Sequence, residues 1–359
     1  MHKKLFIPGP VEVADDVLKA MSTPMISHRG SEYSELQKSC AEMIKKVFYT
    51  NNEIVFSTSS GTGLMESSIR SCTKKRAIVF SVGAFGNRWF EIAERNNIPA
   101  DKYEVEWGNA ITSEIVEKYL STGKYDLMTI THNETSTGIM NPCYELAEVW
   151  KKYPDVVVCM DTVSSMGGVK IEVDKLGVDI CITSSQKALG LPPGISIASV
   201  SEKAIESAKQ VKYRGYYFDL LELIKYVREK NHQYPSTPSI SHMFALKYQL
   251  DKILNKEGLE NRFKRHEEMA KYVRAWANEY FKIFPNKEEW SSVTLTTIKN
   301  TKGFSIKDLN TELGKVGYVI SNGYGDLKEK TFRIAHMADI TMDEVKDLLG
   351  HIERIWKLK

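Results

Sequence analysis

Apolar residues along this chain gather into short β-rich runs, each cut off by Gly, Ser, Pro or Asp. Between them lie longer stretches with apolar positions three or four residues apart, such as Leu36, Met43, Ile44 and Val47. The first pattern predicts buried strands and the second predicts amphipathic helices. Strands are expected over 53–58, 77–82, 102–107, 125–131, 156–160, 178–183 and 194–200. Helices are expected between them over 31–48, 64–72, 88–96, 112–120 and 143–152, with Ser31 as the cap of the first. Strands that alternate with helices predict a mostly parallel sheet covered on both faces, an α/β fold. An extended segment (5–12) and a short helix (14–21) precede this unit. Helices over 240–256 and 258–283, broken at Gly258, follow it. The tail changes rhythm: strands 293–298, 318–321 and 331–335 and helices 305–315 and 341–357 predict a small C-terminal α/β unit. The expected division is an arm (1–18), a large domain (19–257) and a small domain (258–359).

Composition narrows the class without changing the fold. The 359 residues are 42% hydrophobic and 26% charged, which suits a globular chain with one large core and a smaller one. The net charge is +3, with acids and bases interspersed, so no basic face argues for nucleic acid or an anionic membrane. The opening residues MHKKLFIPGP lack the apolar core of a signal peptide, and no apolar run approaches the roughly 20 residues that span a bilayer. Five dispersed cysteines without a CxxC predict reduced thiols in a cytoplasm rather than a zinc or disulfide framework, and no metal site is expected.

The candidate chemistry sits where two apolar runs stop. One ends in Asp161, and the other passes through Ser184-Ser185-Gln186 to Lys187. Ligands of open α/β sheets bind at the carboxyl ends of the strands. A lysine and a carboxylate delivered there suit pyridoxal 5′-phosphate (PLP): the amine forms a Schiff base with the aldehyde and the carboxylate pairs with the ring nitrogen. A solvated ion pair on surface loops is the plainer alternative. Upstream, a strand runs into Ser59-Ser60-Gly61-Thr62-Gly63 and a helix, a turn that can receive an anion on backbone N–H groups and hydroxyls. It lacks the lysine of a P-loop. Phe85, between glycines, is either core or a lid for an aromatic ring. His28-Arg29 is either a polar loop or an anion receptor. Arg333, inside an apolar β-run, either faces solvent or needs a partner.

Taken in order, SSGTG, GAFGNR, THNETSTG, DTVSS, SSQKALGLPPG, YPSTP and TFRIAH resemble the class V, fold-type I PLP aminotransferases of the alanine–glyoxylate and serine–pyruvate type. The resemblance runs over nearly the whole chain. It implies Lys187 as the Schiff-base lysine, Asp161 at the pyridine nitrogen, and Val163 and Phe85 on the two ring faces. It implies a phosphate held by Ser60, Gly61 and Thr62 with Gln186 beside them, and Thr135 on the phenolic oxygen. Tyr234 and Thr237 would reach the phosphate of a neighbouring subunit, which makes the expected unit a homodimer. Arg333 would clamp the substrate α-carboxylate, Gly9 and Pro10 would border the substrate, and His28 and Arg29 would face a distal acidic group. The implied reaction is ping-pong transfer from alanine, serine or aspartate to pyruvate, glyoxylate or 2-oxoglutarate. Aminoethylphosphonate and phosphoserine transaminases are similar alternatives. A cysteine desulfurase fits less well: Gln186, not His, precedes Lys187, Phe85 takes the stacking position, and no cysteine follows Cys181. A non-catalytic PLP-binding protein would have lost the lysine or the aspartate, and both are present.

Overall fold

In the computed structural model, which describes residues 2–358, the alternating runs build one large sheet and the tail builds a second. The strands are β1 (Lys4–Phe6), β2 (Glu53–Ser57), β3 (Ala77–Ser81), β4 (Ala100–Glu104), β5 (Leu127–Thr131), the short ribbon β6 (Asn133–Glu134) and β7 (Ile139–Met140), then β8 (Val157–Asp161), β9 (Ile180–Ser184) and β10 (Ser196–Val200). The tail adds β11 (Lys282–Ile283), β12 (Leu295–Lys299), β13 (Tyr318–Asn322) and β14 (Thr331–Ala335). The large sheet has the order β2-β10-β9-β8-β5-β3-β4. Pairing is parallel between β4, β3, β5, β8 and β9, whereas β10 runs antiparallel to both β9 and β2. The reversal has a local cause. The turn through Leu191-Pro192-Pro193-Gly194 is too short for a crossover, so the chain can only double back.

The registers place the carboxyl ends of five strands along one edge. Asp161 of β8 lies opposite Thr131 of β5 and Ile182 of β9, while Ser184 and Ser57, the last residues of β9 and β2, both pair with Ser196. The loops after β2, β3, β5, β8 and β9 therefore open on the same side.

Two apolar cores follow the two sheets. The large one gathers buried side chains from Val17 to Ile253; the other joins Phe6 to residues between Met269 and Ile352. A third cluster of Val11, Ala188, Leu295, Ala335, Met337 and Ala338 fills the seam. The N-terminal arm belongs to the second sheet, because β1 pairs in parallel with β13. Phe6 is fully buried there, which contributes about 2 kcal/mol to fixing the arm. Buried Arg262 braces the seam: it donates to the carbonyls of Gly167 and Ala188 at 2.9 and 2.8 Å and pairs with Asp339 at 3.0 Å.

Three local expectations change. Ser31 is the first residue of the helix Ser31–Phe48 and not its cap. Gly30 takes the cap position, because its N–H is already tied to the Ser27 carbonyl in a turn. The edge strand β4 starts at Ala100, in register with Ala77, two residues before its expected start. A helix over Leu220–Arg228 follows the Tyr-rich run 213–218. It buries Leu220, Leu223, Ile224 and Val227, and Asp219 caps it by accepting the Leu221 N–H at 2.9 Å.

Candidate active site

The converging loops enclose a cavity of about 240 Å³ lined by Asp161, Lys187, the Ser60–Thr62 turn, Phe85, Thr135 and Val163, with Gln186, Gly9 and Pro10 at its border. A larger hollow of about 540 Å³ lies at the opposite, amino-terminal edge of the strands, between Lys74, Asp126, Lys152 and Lys203. It lacks the convergence of strand carboxyl ends that makes a ligand site in this architecture.

Asp161 ends β8 and is buried. Its Oδ1 accepts the Val163 N–H at 2.8 Å, which fixes both the carboxylate and the valine beside it. Burial raises its pKa to about 6; the Val163 hydrogen bond pulls the other way. Lys187 is pushed down to about 8, first by burial and then by the charge of Arg333. Its amine donates to the carbonyl of Pro8. The N-terminal arm thus lies directly on the lysine, and the Val11 N–H donates to the Gln186 carbonyl at 3.2 Å. At Gly9, with φ +117°, a Cβ would stand 2.7 Å from Lys187 Cδ, Cε and Nζ. The conformation favours glycine here, and a methyl group would push the flexible end of Lys187 aside. Gly9→Ala is expected to slow PLP incorporation at least tenfold and, because alanine is strained at this φ, to cost about 1–3 kcal/mol of stability. Stopped-flow absorbance with a parallel melting curve checks this, and a normal rate would show that the arm gives way.

The Ser60–Thr62 turn opens the helix Gly61–Cys72, so the first amides of that helix have no partner within it. Gly61 permits a close approach: a Cβ there would meet Val163 Cγ2 at 2.6 Å. Phe85 lies in the first turn of the helix Ala84–Arg95, which begins three residues after β3. Its position is set by Glu134, a fully buried residue that sequence reasoning missed. Glu134 Oε2 accepts the N–H groups of Phe85 and Gly86 at 2.9 and 3.0 Å, and Oε1 accepts the N–H and hydroxyl of Ser136 at 3.0 and 2.6 Å. Thr135, next in the chain, shares a 2.7 Å hydrogen bond between its hydroxyl and that of Ser164.

Arg333 is buried on β14 instead of facing solvent. Its Nη1 donates to the Thr135 carbonyl at 3.0 Å, and Nε and Nη2 donate to the Asn322 carbonyl at 3.1 and 3.0 Å. Burial lowers its pKa to about 10, so it stays charged at neutral pH. Three hydrogen bonds to two backbone carbonyls orient this cation without neutralising it. Tyr324 bridges it to the cavity: the Arg333 guanidinium sits 5.6 Å from the Tyr324 ring, which is 5.7 Å from Phe85.

Within a single chain the remaining candidates lie elsewhere. Arg29 Nη1 donates to the Tyr234 carbonyl at 2.6 Å, and Nη2 reaches those of Pro235 and Ser236, so its guanidinium holds the 234–236 turn and not a cavity ligand. His28 does not line the cavity. The Tyr234 hydroxyl accepts the Thr58 N–H at 3.2 Å, just upstream of the Ser60 turn, and Thr237 is exposed. A second missed residue does line the cavity: Arg88, whose guanidinium lies 4.6 Å from the Phe85 ring centre. Its signal was its place in GAFGNR, three residues after Phe85 and so on the same helix face.

Known proteins resemble this chain in sequence and in fold. The family model for "Aminotransferase class-V" matches residues 13–347. An uncharacterized aminotransferase of Methanocaldococcus jannaschii is 41% identical, with 98% of this chain and 92% of that protein covered. A serine–glyoxylate aminotransferase of Arabidopsis thaliana is 31% identical over 98% of this chain and 90% of its own length. The crystal structure of an alanine–glyoxylate aminotransferase from Nostoc sp. superposes with a TM-score of 0.93 at 27% identity, covering 99% and 96% of the two chains. Among the described residues no helix is long and apolar enough to cross a membrane, and no group of His, Cys, Asp and Glu is placed to hold a metal. The fold, the cavity at the strand ends and the family match agree: the chain belongs to the class V aminotransferases and is a PLP-dependent transaminase of fold type I.

Proposed function

We propose that this transaminase moves the amino group of a small amino acid (alanine, serine or aspartate) to a 2-oxo acid by a ping-pong course, with glyoxylate the favoured acceptor over pyruvate and 2-oxoglutarate. The observation that carries the reading is the cavity itself: one lysine with a lowered pKa, one buried carboxyl and a helix-opening turn around a single space. The naming of two similar proteins for glyoxylate supports the acceptor.

The residues present fit PLP. Gly61 leaves room at the turn that a methyl group would close, and its unpaired amides and hydroxyls suit a phosphate. When bound, PLP supplies an aldehyde that takes up the amino group and a ring that accepts electrons. Lys187 would hold that aldehyde in the resting enzyme; once displaced, its amine would take the proton from the donor Cα in the first half-reaction and deliver one to the acceptor Cα in the second. Its lowered pKa keeps a useful fraction of the amine neutral near pH 8. Asp161 holds a proton at the ring nitrogen. Val163 and Phe85 flank the ring, Thr135 faces the phenolic oxygen, and Ser60, Gly61, Thr62 and Gln186 receive the phosphate. Arg333 meets the α-carboxylate as a two-pronged donor, and Gly9 and Pro10 border the substrate.

The active unit in this reading is a homodimer in which Tyr234 and Thr237 serve the neighbouring subunit. Tyr216 and Tyr217, exposed beside that turn, support it. Five buried free cysteines support a cytoplasmic setting. The proposed division is an arm (1–18), a large domain (19–257) and a small domain (258–359); the two separate apolar cores, one from Val17 to Ile253 and one joining Phe6 to residues between Met269 and Ile352, support a two-domain division.

A donor-by-acceptor screen tests the reading, with aminoethylphosphonate and phosphoserine included as donors. Turnover of serine, alanine or aspartate with glyoxylate supports it, and turnover restricted to a phosphorylated donor would overturn it. Arg333→Ala is expected to lower kcat/KM about 10²-fold for donor and acceptor alike, since both carry the same carboxylate. Loss confined to one of the two would place the clamp elsewhere.

A further inference from the structure

We propose that Arg88 supplies the positive charge that meets the phosphate of the bound cofactor. This rests on the reading of Ser60–Thr62 as the phosphate end of the cavity. That turn, Ser59-Ser60-Gly61-Thr62-Gly63, contains no cation, and Gln186 beside it is neutral. A phosphate monoester carries between about −1.5 and −2 at neutral pH, while a helix N-terminus offers only about half a positive charge. Hydroxyls and amides add hydrogen bonds but leave much of that charge unmet.

Arg88 lines the same cavity from the helix Ala84–Arg95. Its Nη1 donates to the Thr62 hydroxyl at 3.4 Å, a contact long enough to yield to a better acceptor. The guanidinium carbon lies over Phe85, 4.6 Å from the ring centre. A guanidinium held against an aromatic ring can still donate from its N–H groups to an anion. The alternative role, receiving the second carboxylate of a dicarboxylic donor, fits the layout less well. The sequence of contacts runs Thr62, Arg88, Phe85, Tyr324, Arg333. Arg88 is thus tied to the turn through Thr62, whereas Arg333 lies on β14 of the small sheet and meets Tyr324.

The test compares PLP with pyridoxal, which lacks the phosphate. Dissociation constants are measured by absorbance titration of enzyme freed of cofactor, for the native protein, Arg88→Gln and Arg88→Lys. The native protein should prefer PLP strongly. Arg88→Gln should weaken PLP binding roughly 10- to 100-fold, the range for a hydrogen bond to a charged group, and leave pyridoxal unchanged. Arg88→Lys should recover part of the loss, because it restores charge without the fork. Arg88 is only half-buried, so unchanged melting temperatures should accompany these shifts. An Arg88→Gln protein that keeps the native preference for PLP, or loses affinity equally for both compounds, overturns the proposal. So does an unchanged PLP constant together with a raised KM for aspartate but not for alanine, which would move Arg88 to the substrate. If the native protein binds pyridoxal as tightly as PLP, the reading of the turn fails first and the role of Arg88 falls with it.

Discussion

Lys187→Ala should lower transamination by about 10⁴-fold, the upper end of what one positioned acid–base group contributes. Cofactor should still enter, because the turn, Asp161 and Phe85 are untouched. Single-turnover assays of the variant, with PLP content measured alongside, check both halves; turnover within tenfold of the native rate would remove Lys187 from its role. The same side chain sets a pH dependence. Buried Lys187 has its pKa lowered from 10.5 to about 8, so PLP incorporation should quicken as pH rises through 8. Between these two values the unfolded chain binds a proton that the folded chain has released. Lys187 therefore costs stability below pH 8, and the cost is relieved as pH climbs toward 10.5. Asp161 has the opposite sign. Its folded pKa of about 6 exceeds 3.8, so the folded form without cofactor holds the extra proton, and its contribution to stability falls as pH rises through that window.

Asp161→Asn should reduce kcat by roughly 10²- to 10³-fold, the scale of losing one partner of a buried charge pair. The amide can still accept the Val163 N–H, so the loop geometry stays and only the charge goes. The bound cofactor should then show a shifted absorption band together with the lost rate, because nothing anionic would hold the proton on the ring nitrogen. A variant with native spectrum and native kcat would show that another group does this work.

Much of the site was legible because its signals are local. Lys187 and Asp161 stand where apolar runs stop, and Ser60–Thr62 is a hydroxyl–glycine turn between a strand and a helix. What the local pattern left open, as at Arg333, or missed, as at Glu134 and Arg88, depends on tertiary contacts. Arg333 sits in a β-run that reads equally well with the side chain on either face. The choice is made by β13 and β12, which pair Ser321 and Thr297 against it, and by the Asn322 and Thr135 carbonyls that receive its N–H groups. Glu134 binds amides of a helix that begins some fifty residues earlier, and no spacing rule connects the two. Arg88 meets Thr62 across two separate helices. The arm was expected to be extended, yet only the pairing of β1 with β13 brings Pro8 and Gly9 over the lysine. The helix Leu220–Arg228 has a regular apolar face, masked by the aromatic run before it and the proline-rich run after it.

The central claim is that Lys187 holds the cofactor. Borohydride reduction of the PLP-loaded protein, followed by proteolysis and mass mapping, reads this directly. The expected result is a single pyridoxyl-modified peptide carrying the label on Lys187; a label on a different lysine, or on none, would contradict the account.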